Sequence, residues 1–310
     1  MNMSNTFWPQ QRVLVTGGSG FLGSHLCRRL VDCGAEVHAT SRVERAQCDS
    51  EPRWRQADLA DIGVARRLVS EVRPDIVYHL AGSVTVVPGK EFVLPTFHSL
   101  LTSTVNLLAA VTEIGCRRLI LCGSLDEPQA QRGEVTPSSP YAAAKWAASG
   151  YGRMFQALYG TPVVVLRTFM TYGPCQDMGK LIPSVILSLQ EGRSPRLSSG
   201  RWQADWIYVD DVIDGFLAAA QRPDIEGCTL DLGSGTLISV RAIVEQLVEI
   251  MRPSVQPLFG ALPDSPLKPE CSADVVDSEE KLGWRPATPL STGLLKTVEW
   301  FSAQRNAVDV

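Results

Sequence analysis

A tyrosine and a lysine stand four residues apart in Pro140-Tyr141-Ala142-Ala143-Ala144-Lys145, and Ser124 precedes the tyrosine by seventeen residues. If this segment is helical, Tyr141 and Lys145 share one face. A free phenol titrates near pH 10 and is a poor proton donor or acceptor at neutral pH. A neighbouring ammonium favours the phenolate and lowers that value. Moving it by about three units takes roughly 4 kcal/mol, which one close ammonium together with a cationic nicotinamide could supply. Such a tyrosine could pass a proton to or from a hydroxyl or carbonyl oxygen while a hydride moves at the same carbon. Alone, Tyr-x-x-x-Lys is common in ordinary helices, so its meaning depends on the elements around it.

The amino-terminal segment supplies that context. Val13-Leu14-Val15 is a short apolar run suited to a buried parallel strand. Gly17, Gly20 and Gly23 follow at Gly-x-x-Gly-x-x-Gly spacing, and Phe21, Leu22, Leu26 and Leu30 form the stripe of an amphipathic helix. Strand, glycine turn and helix start in that order make a pyrophosphate cradle. The glycines admit a tight turn and a close phosphate, and the helix start offers free N–H groups and a partial positive charge.

The second strand is expected over Glu36 to Ala39. The residue just past such a strand faces the adenosine ribose, and NAD sites often carry an acid there. This chain has Thr40-Ser41-Arg42, with Glu44 and Arg45 close behind. Hydroxyls and a guanidinium suit a 2′-phosphate. NADP(H) is therefore the expected cofactor, with NAD(H) as the alternative. Ala57-Asp58-Leu59 is read as the end of a third strand, where Asp58 accepts from the adenine amino group or caps the next helix. Ile76 to Leu80 reads as a fourth strand running into the small residues Ala81 and Gly82. His79, inside that strand, is expected to be a satisfied core histidine.

With these segments in hand, the chain resembles the extended short-chain dehydrogenase/reductase family, in its nucleotide-sugar branch of epimerases, dehydratases and 4-keto reductases. Thr16 to Gly23 resembles the family's cofactor loop, including Ser19, and Leu119 to Ser124 the strand that delivers its catalytic serine. Leu166-Arg167 and Tyr172-Gly173-Pro174, Trp206 to Val212, and Leu282 to Pro286 resemble further family segments. The resemblance implies a Rossmann-type α/β fold, a doubly wound parallel sheet with a smaller C-terminal substrate lobe. It implies that Tyr141 is the general acid/base, that Lys145 lowers its pKa and holds the nicotinamide ribose, and that Ser124 bonds the reacting oxygen. The implied cofactor contacts are Gly17, Ser19, Gly20, Phe21, Leu22, Gly23, Ser41, Arg42, Asp58, Leu59, Leu80, Ala81 and Gly82, with Tyr141 and Lys145. Arg201 is a candidate for the nucleotide diphosphate of a sugar substrate, and Thr171 and Asp126 are further substrate candidates. The resemblance also implies a homodimer, built partly on the helix that carries Tyr141. The chain departs from the family pattern at Leu100, Thr168 to Thr171, Ala204 and Pro128-Gln129.

Strand and helix patterns alternate to about residue 170, as a doubly wound sheet requires. A dinucleotide-binding domain is expected over 1–170, rejoined by roughly 206–228, with a substrate lobe over 171–205 and 229–310. A net charge of −4 gives no support for a nucleic-acid partner. No apolar run looks long enough to span a bilayer, and the start Met-Asn-Met-Ser-Asn carries no charged-then-apolar leader. Eight cysteines without a Cys-x-x-Cys pair suggest reduced thiols, a cytoplasmic setting and no metal site.

Three activities fit. The first is a reductase that delivers hydride from NADPH to C4 of a nucleotide-linked 4-keto-6-deoxy sugar. The second is an epimerase or 4,6-dehydratase that returns the hydride to the same sugar. The third is a non-catalytic NADP-binding regulator. Ser41 and Arg42 favour the first. Asp126-Glu127 favours a dehydratase, but Leu125 displaces both acids by one position, which on a strand turns a side chain to the other face. The ordinary alternative is a solvated pair of loop acids.

Overall fold

The computed structural model describes residues 6–47, 52–86, 89–128, 136–264 and 270–308. In chain order the elements are β1 (Arg12–Thr16), α1 (Phe21–Asp32), β2 (Glu36–Ser41), β3 (Arg53–Gln56), α2 (Ile62–Val72) and β4 (Ile76–His79). They continue with α3 (Val93–Thr96), a π-helical stretch (Phe97–Thr102), α4 (Ser103–Ile114), β5 (Arg118–Ser124), α5 (Pro140–Tyr159), β6 (Val163–Thr168) and β7 (Met170–Tyr172). The remainder is α6 (Leu181–Gln190), β8 (Gln203–Tyr208), α7 (Val209–Gln221), β9 (Thr229–Leu232), β10 (Leu237–Ser239), α8 (Val240–Met251), α9 (Val275–Leu282) and α10 (Leu290–Val308).

A seven-stranded sheet runs in the order β3-β2-β1-β4-β5-β6-β9. The pairings from β3 through β6 are all parallel. The strand order reverses beside β1, and in such sheets ligands bind outside the carboxyl ends of the strands at that point. Val13, Leu14 and Val15 have no exposed surface, and each fully buried aliphatic side chain contributes about 1.5–3 kcal/mol. Leu14, Val77, Leu119, Leu121, Val163 and Val165 form the sheet's share of a core completed by α2, α4 and Phe155 of α5. This is the Rossmann-type α/β class expected from the sequence.

The helices start where side chains can take up free N–H groups. Asp61 accepts from the backbone N of Gly63 and Val64 at the start of α2. Ser139 caps α5 through Ala142 N, Pro140 occupies its first turn, and Gly160 ends it in the left-handed region. A cap of this kind is worth about 1 kcal/mol.

The chain divides into two compact units, one of Met1–Thr168, Ile213–Leu230 and Glu280–Gly283, the other of Phe169–Val212, Asp231–Glu279 and Trp284–Val310. The return to the first unit begins at Ile213 rather than near residue 206. The physical reason is that β8 pairs with β7 and β10 in a small sheet of the second unit. Within that unit Asp205 accepts from Ser234 N and Oγ, Gly235 N and Ala273 N. Asp211 accepts from Ala287 N, Thr288 N and Thr288 Oγ1. Both acids act there as anchors for backbone segments.

The expectation that no apolar run is long enough to span a bilayer does not hold for one helix. The helical run Lys90–Ile114 is long and apolar enough, by length and composition, to cross a membrane. It is also a packing helix of the first unit, with α4 against α2 and the π-helical stretch against α5. Core helices of globular proteins meet the same measure.

Candidate active site

The carboxyl ends of β1, β2 and β4 open onto a cleft of about 260 Å³ lined by Gly17, Ser19, Gly20, Thr40, Ser41, Arg42, Ala57, Asp58, Leu59, Leu80, Ala81, Gly82, Ser83, Ser99 and Ser103. Gly17 has φ of +70°, and a Cβ there would lie 2.8 Å from the Ala81 backbone. A Cβ on Gly23 would lie 2.2 Å from Gly17 O. Only glycine lets this loop fold so tightly against the next strand. Gly20 opens α1 without any side-chain cap, so the first N–H groups of the helix remain available to a phosphate. The residues fit a dinucleotide: the loop would hold its pyrophosphate, and the ends of β2 and β3 its adenosine half.

Among the expected cofactor residues, Gly17, Ser19, Gly20, Ser41, Arg42, Asp58, Leu59, Leu80, Ala81 and Gly82 line this cleft, whereas Phe21, Leu22 and Gly23 do not. Gly23 acts through packing. Thr40 is buried, and its Oγ1 accepts from Gly17 N at 3.2 Å; it ties β2 to the glycine loop. Ser41 and the exposed Arg42 are left for the ribose side. Asp58 does not cap a helix. Its Oδ1 accepts from Ala60 N at 3.0 Å, and Asp61 is the cap of α2. The strand before it ends at Gln56.

The second cluster lies in the same unit. Tyr141 and Lys145 lie one turn apart on α5, with Lys145 Nζ 6.0 Å from the Tyr141 ring centroid. Lys145 Nζ donates to Cys122 O at 2.7 Å, which fixes the ammonium against β5. Ser124 bonds the Tyr141 phenol. Burial pushes that phenol above its ordinary value, while Lys145 and the Ser124 bond pull it down. The net direction is upward, whereas the expectation is a phenol lowered by Lys145 together with a cationic nicotinamide: in the protein alone, burial costs the phenolate more than one ammonium returns. Burial pushes the Lys145 ammonium down, but Tyr141, Cys122 and Glu127 outweigh it and leave it above the ordinary lysine value. The pair is therefore held as phenol and ammonium, poised to give a proton.

The acids after Ser124 are not a solvated pair. Asp126 N donates to Ser124 Oγ at 3.2 Å. Glu127 is 5% exposed and turned inward, accepting from Ser124 N at 2.8 Å. Leu125 is buried and donates to Thr168 O, so the segment leaves the strand with Glu127 facing the protein. The family departure at Pro128-Gln129 lies here, and Gln129 is outside the described residues.

His79 is the core histidine expected. Thr104 Oγ1 gives its hydrogen to Leu100 O, so it accepts from His79 Nε2 at 2.9 Å. Thr16 Oγ1 accepts from Ala81 N and donates to His79 Nδ1 at 2.7 Å. This network assigns the Nε2–H tautomer. Burial, aided by Lys145, holds His79 neutral down to about 3.

Sequence reasoning missed Ser83, Ser99 and Ser103 in the cleft. Ser99 Oγ is buried with no hydrogen-bond partner among the described residues. It sits on the π-helical stretch, where ordinary helical spacing does not tell which side chain faces the site. Leu100 is 2% exposed and packs with Tyr141 and Ala144, an apolar wall at the position where the family often has asparagine.

The remaining candidates belong to the second unit. Arg201 is 85% exposed and lies 3.8 Å from Asp264, with Ser199 held between their backbone and side-chain atoms. Thr171 Oγ1 donates to Phe169 O at 3.0 Å. Ala204 is buried in β8.

A glycine cradle suited to a dinucleotide, with Ser124 bonded to Tyr141 and Lys145 one turn along the same helix, all on one Rossmann-type unit, is the arrangement of a nicotinamide-dependent oxidoreductase site. The model of the NAD dependent epimerase/dehydratase family matches residues 13–232. The chain belongs to that family, in its nucleotide-sugar branch. It is 30% identical over 312 residues to the UDP-glucose 4-epimerase of Mycolicibacterium smegmatis, covering 94% of this chain and 98% of that protein. It is 28% identical over 319 residues to the dTDP-D-glucose 4,6-dehydratase of Mus musculus, covering 94% and 88%. Among solved structures, the UDP-glucose 4-epimerase of Thermotoga maritima with UDP-glucose superposes with a TM-score of 0.85 at 25% identity, covering 94% and 99%. The UDP-glucose 4-epimerase of Thermus thermophilus, in complex with NAD, gives 0.80 at 28% identity, covering 94% and 99%.

Proposed function

We propose that this protein reduces a nucleotide-linked 4-keto-6-deoxy sugar at C4, using NADPH. The observation that carries this reading is the end of β2. Ser41 and Arg42 line the cleft where NAD sites often present an acid to the ribose, and an exposed guanidinium with a neighbouring hydroxyl suits a 2′-phosphate. The cofactor would supply the hydride. Tyr141 donates its phenolic proton to O4 as the ketone becomes an alcohol, Ser124 Oγ orients that oxygen, and Lys145 stabilises the phenolate left behind. The upward direction of the Tyr141 pKa supports a proton donor at neutral pH. Glu127 faces inward, which leaves Asp126 as the only acid of this pair for a sugar and weakens the dehydratase reading. Arg201 is a candidate contact for the diphosphate.

A second reading, a 4-epimerase with recycled cofactor, draws on the relatives named above and on the NAD bound by the Thermus enzyme. Homodimer formation is part of the proposal. Val93, Leu94 and Phe97, and Trp146 on α5, are exposed apolar side chains on helices.

The test is incubation with NADPH and nucleotide-linked 4-keto-6-deoxyhexoses while reduced nicotinamide absorbance is followed. Loss of absorbance equal to the alcohol formed supports the reductase. Product formed without net cofactor change, or NAD retained by the purified protein, contradicts it.

A further inference from the structure

Many hydroxyl side chains on the helices of this protein give their hydrogen to a carbonyl about one turn back. Ser103 donates to Ser99 O at 2.7 Å, Thr104 to Leu100 O at 2.6 Å and Thr112 to Leu108 O at 2.7 Å. Such back-bonding is the ordinary arrangement for a serine or threonine inside a helix. Ser99 departs from it. Its Oγ is buried and has no hydrogen-bond partner among the described residues, although the residue lines the dinucleotide cleft. Ser99 lies in the π-helical stretch Phe97–Thr102, where the wider turn takes the carbonyls out of α-helical register. A hydroxyl that has lost water without gaining a partner is unfavourable until a ligand completes it.

The position of Ser99 says which part of a ligand would do so. Gly82, just past β4, has φ of +148°, and a Cβ there would run into Leu100 Cδ2 and lie 3.6 Å from Ser99 O. The π-helical stretch is therefore packed directly on the end of β4. β4 flanks β1 on the side away from β2, and β5 comes next. Ser41 and Arg42 thus stand on one flank of the cleft and Ser99 on the other. Lys145 is fixed against Cys122 O of β5. A dinucleotide with its adenosine over β2 and β3 and its nicotinamide beside Lys145 must pass the end of β4. The other hydroxyls of that flank are occupied, Ser103 by Ser99 O and Leu100 O, and Ser83 by Thr85 Oγ1. Leu100 packs on Tyr141 and Ala144 and offers no polar side-chain atom.

We infer that Ser99 is a cofactor-binding residue whose Oγ–H is donated to an oxygen of the nicotinamide half of the bound dinucleotide. NADH and NADPH share that half, so the bond serves both. The inference rests on the cleft being a dinucleotide site and not on the choice of NADPH or on the reductase reading.

The test is binding without turnover. Ser99→Ala should raise the Kd of NADH and of NADPH alike by about tenfold in fluorescence titration, as expected for one lost hydrogen bond. The fragments 5′-AMP and adenosine 2′,5′-bisphosphate, which carry only the adenosine half, should compete equally well for wild type and variant. The free Ser99→Ala protein should unfold in urea at a midpoint equal to or above that of wild type, because it loses only an unpartnered hydroxyl. Undiminished binding of either dinucleotide overturns the inference. An equal loss for the adenosine fragments overturns it by moving the contact to the other flank, and a lower urea midpoint overturns it by making the hydroxyl a packing group. A wild-type protein that holds NADH in preference to NADPH removes the reductase reading, while the Ser99 comparison is still read with NADH.

Discussion

The ends of β2 and β5 belong to one parallel sheet but are built in opposite ways. After β5, each polar group is already engaged: Ser124 with Glu127, Asp126 and Tyr141, and Lys145 with Cys122 O. After β2, Ser41 is half-buried and Arg42 exposed; Ser41 Oγ accepts a local N–H from Val43. The chemical end is preorganised and dry, where electrostatic effects are large and reorganisation costs little. The selecting end is wet, so its contacts are individually small. Changes at β5 should therefore alter rate and titration, whereas changes at β2 should alter only which cofactor is held.

The largest effect is expected at Tyr141. Tyr141→Phe should lower turnover by about 10²- to 10⁴-fold, in a protein that still binds cofactor by fluorescence titration. A variant that turns over at the wild-type rate would remove the proton-transfer role of that residue.

Next comes the buried wall beside the site. His79 stays neutral down to about 3, against 6.5 for a free histidine. Between those values the unfolded chain binds a proton that the native protein does not, so stability falls as pH drops below the unfolded value. The loss is about 1.4 kcal/mol per pH unit, or about 2–3 kcal/mol between about pH 7 and about pH 4.5. Urea midpoints should follow this slope in wild type and follow a shallower one in His79→Gln. Parallel slopes would place the acid sensitivity elsewhere.

The smallest effect belongs to the wet end. Arg42→Ala should weaken NADPH binding by about tenfold, as expected for one exposed charge-assisted contact, and leave NADH unchanged. Equal losses for both cofactors would erase the proposed distinction between the two strand ends.

The same contrast separates what is legible in the amino-acid sequence from what is not. The glycine loop is legible because backbone geometry leaves no other residue at Gly17 or Gly23. The Tyr141–Lys145 pair is legible because helical spacing alone brings them to one face. Glu127 is not, because its burial depends on Gly123, Lys145, Ser149 and Arg167, which three separate elements contribute. Thr40 misleads for a similar reason: its hydroxyl serves Gly17 N across to a neighbouring strand. The second unit is the least legible. Its acids Asp205 and Asp211 bind backbone groups, and Arg201 is exposed beside Asp264, so these residues are engaged in tertiary contacts that local sequence pattern does not encode.

The most direct test of the central claim is a turnover with NADPH deuterated at the transferable position of its nicotinamide. The account predicts one deuterium at C4 of the sugar product for each NADP⁺ formed. Product that carries no deuterium, formed while the added NADPH stays intact, would contradict it.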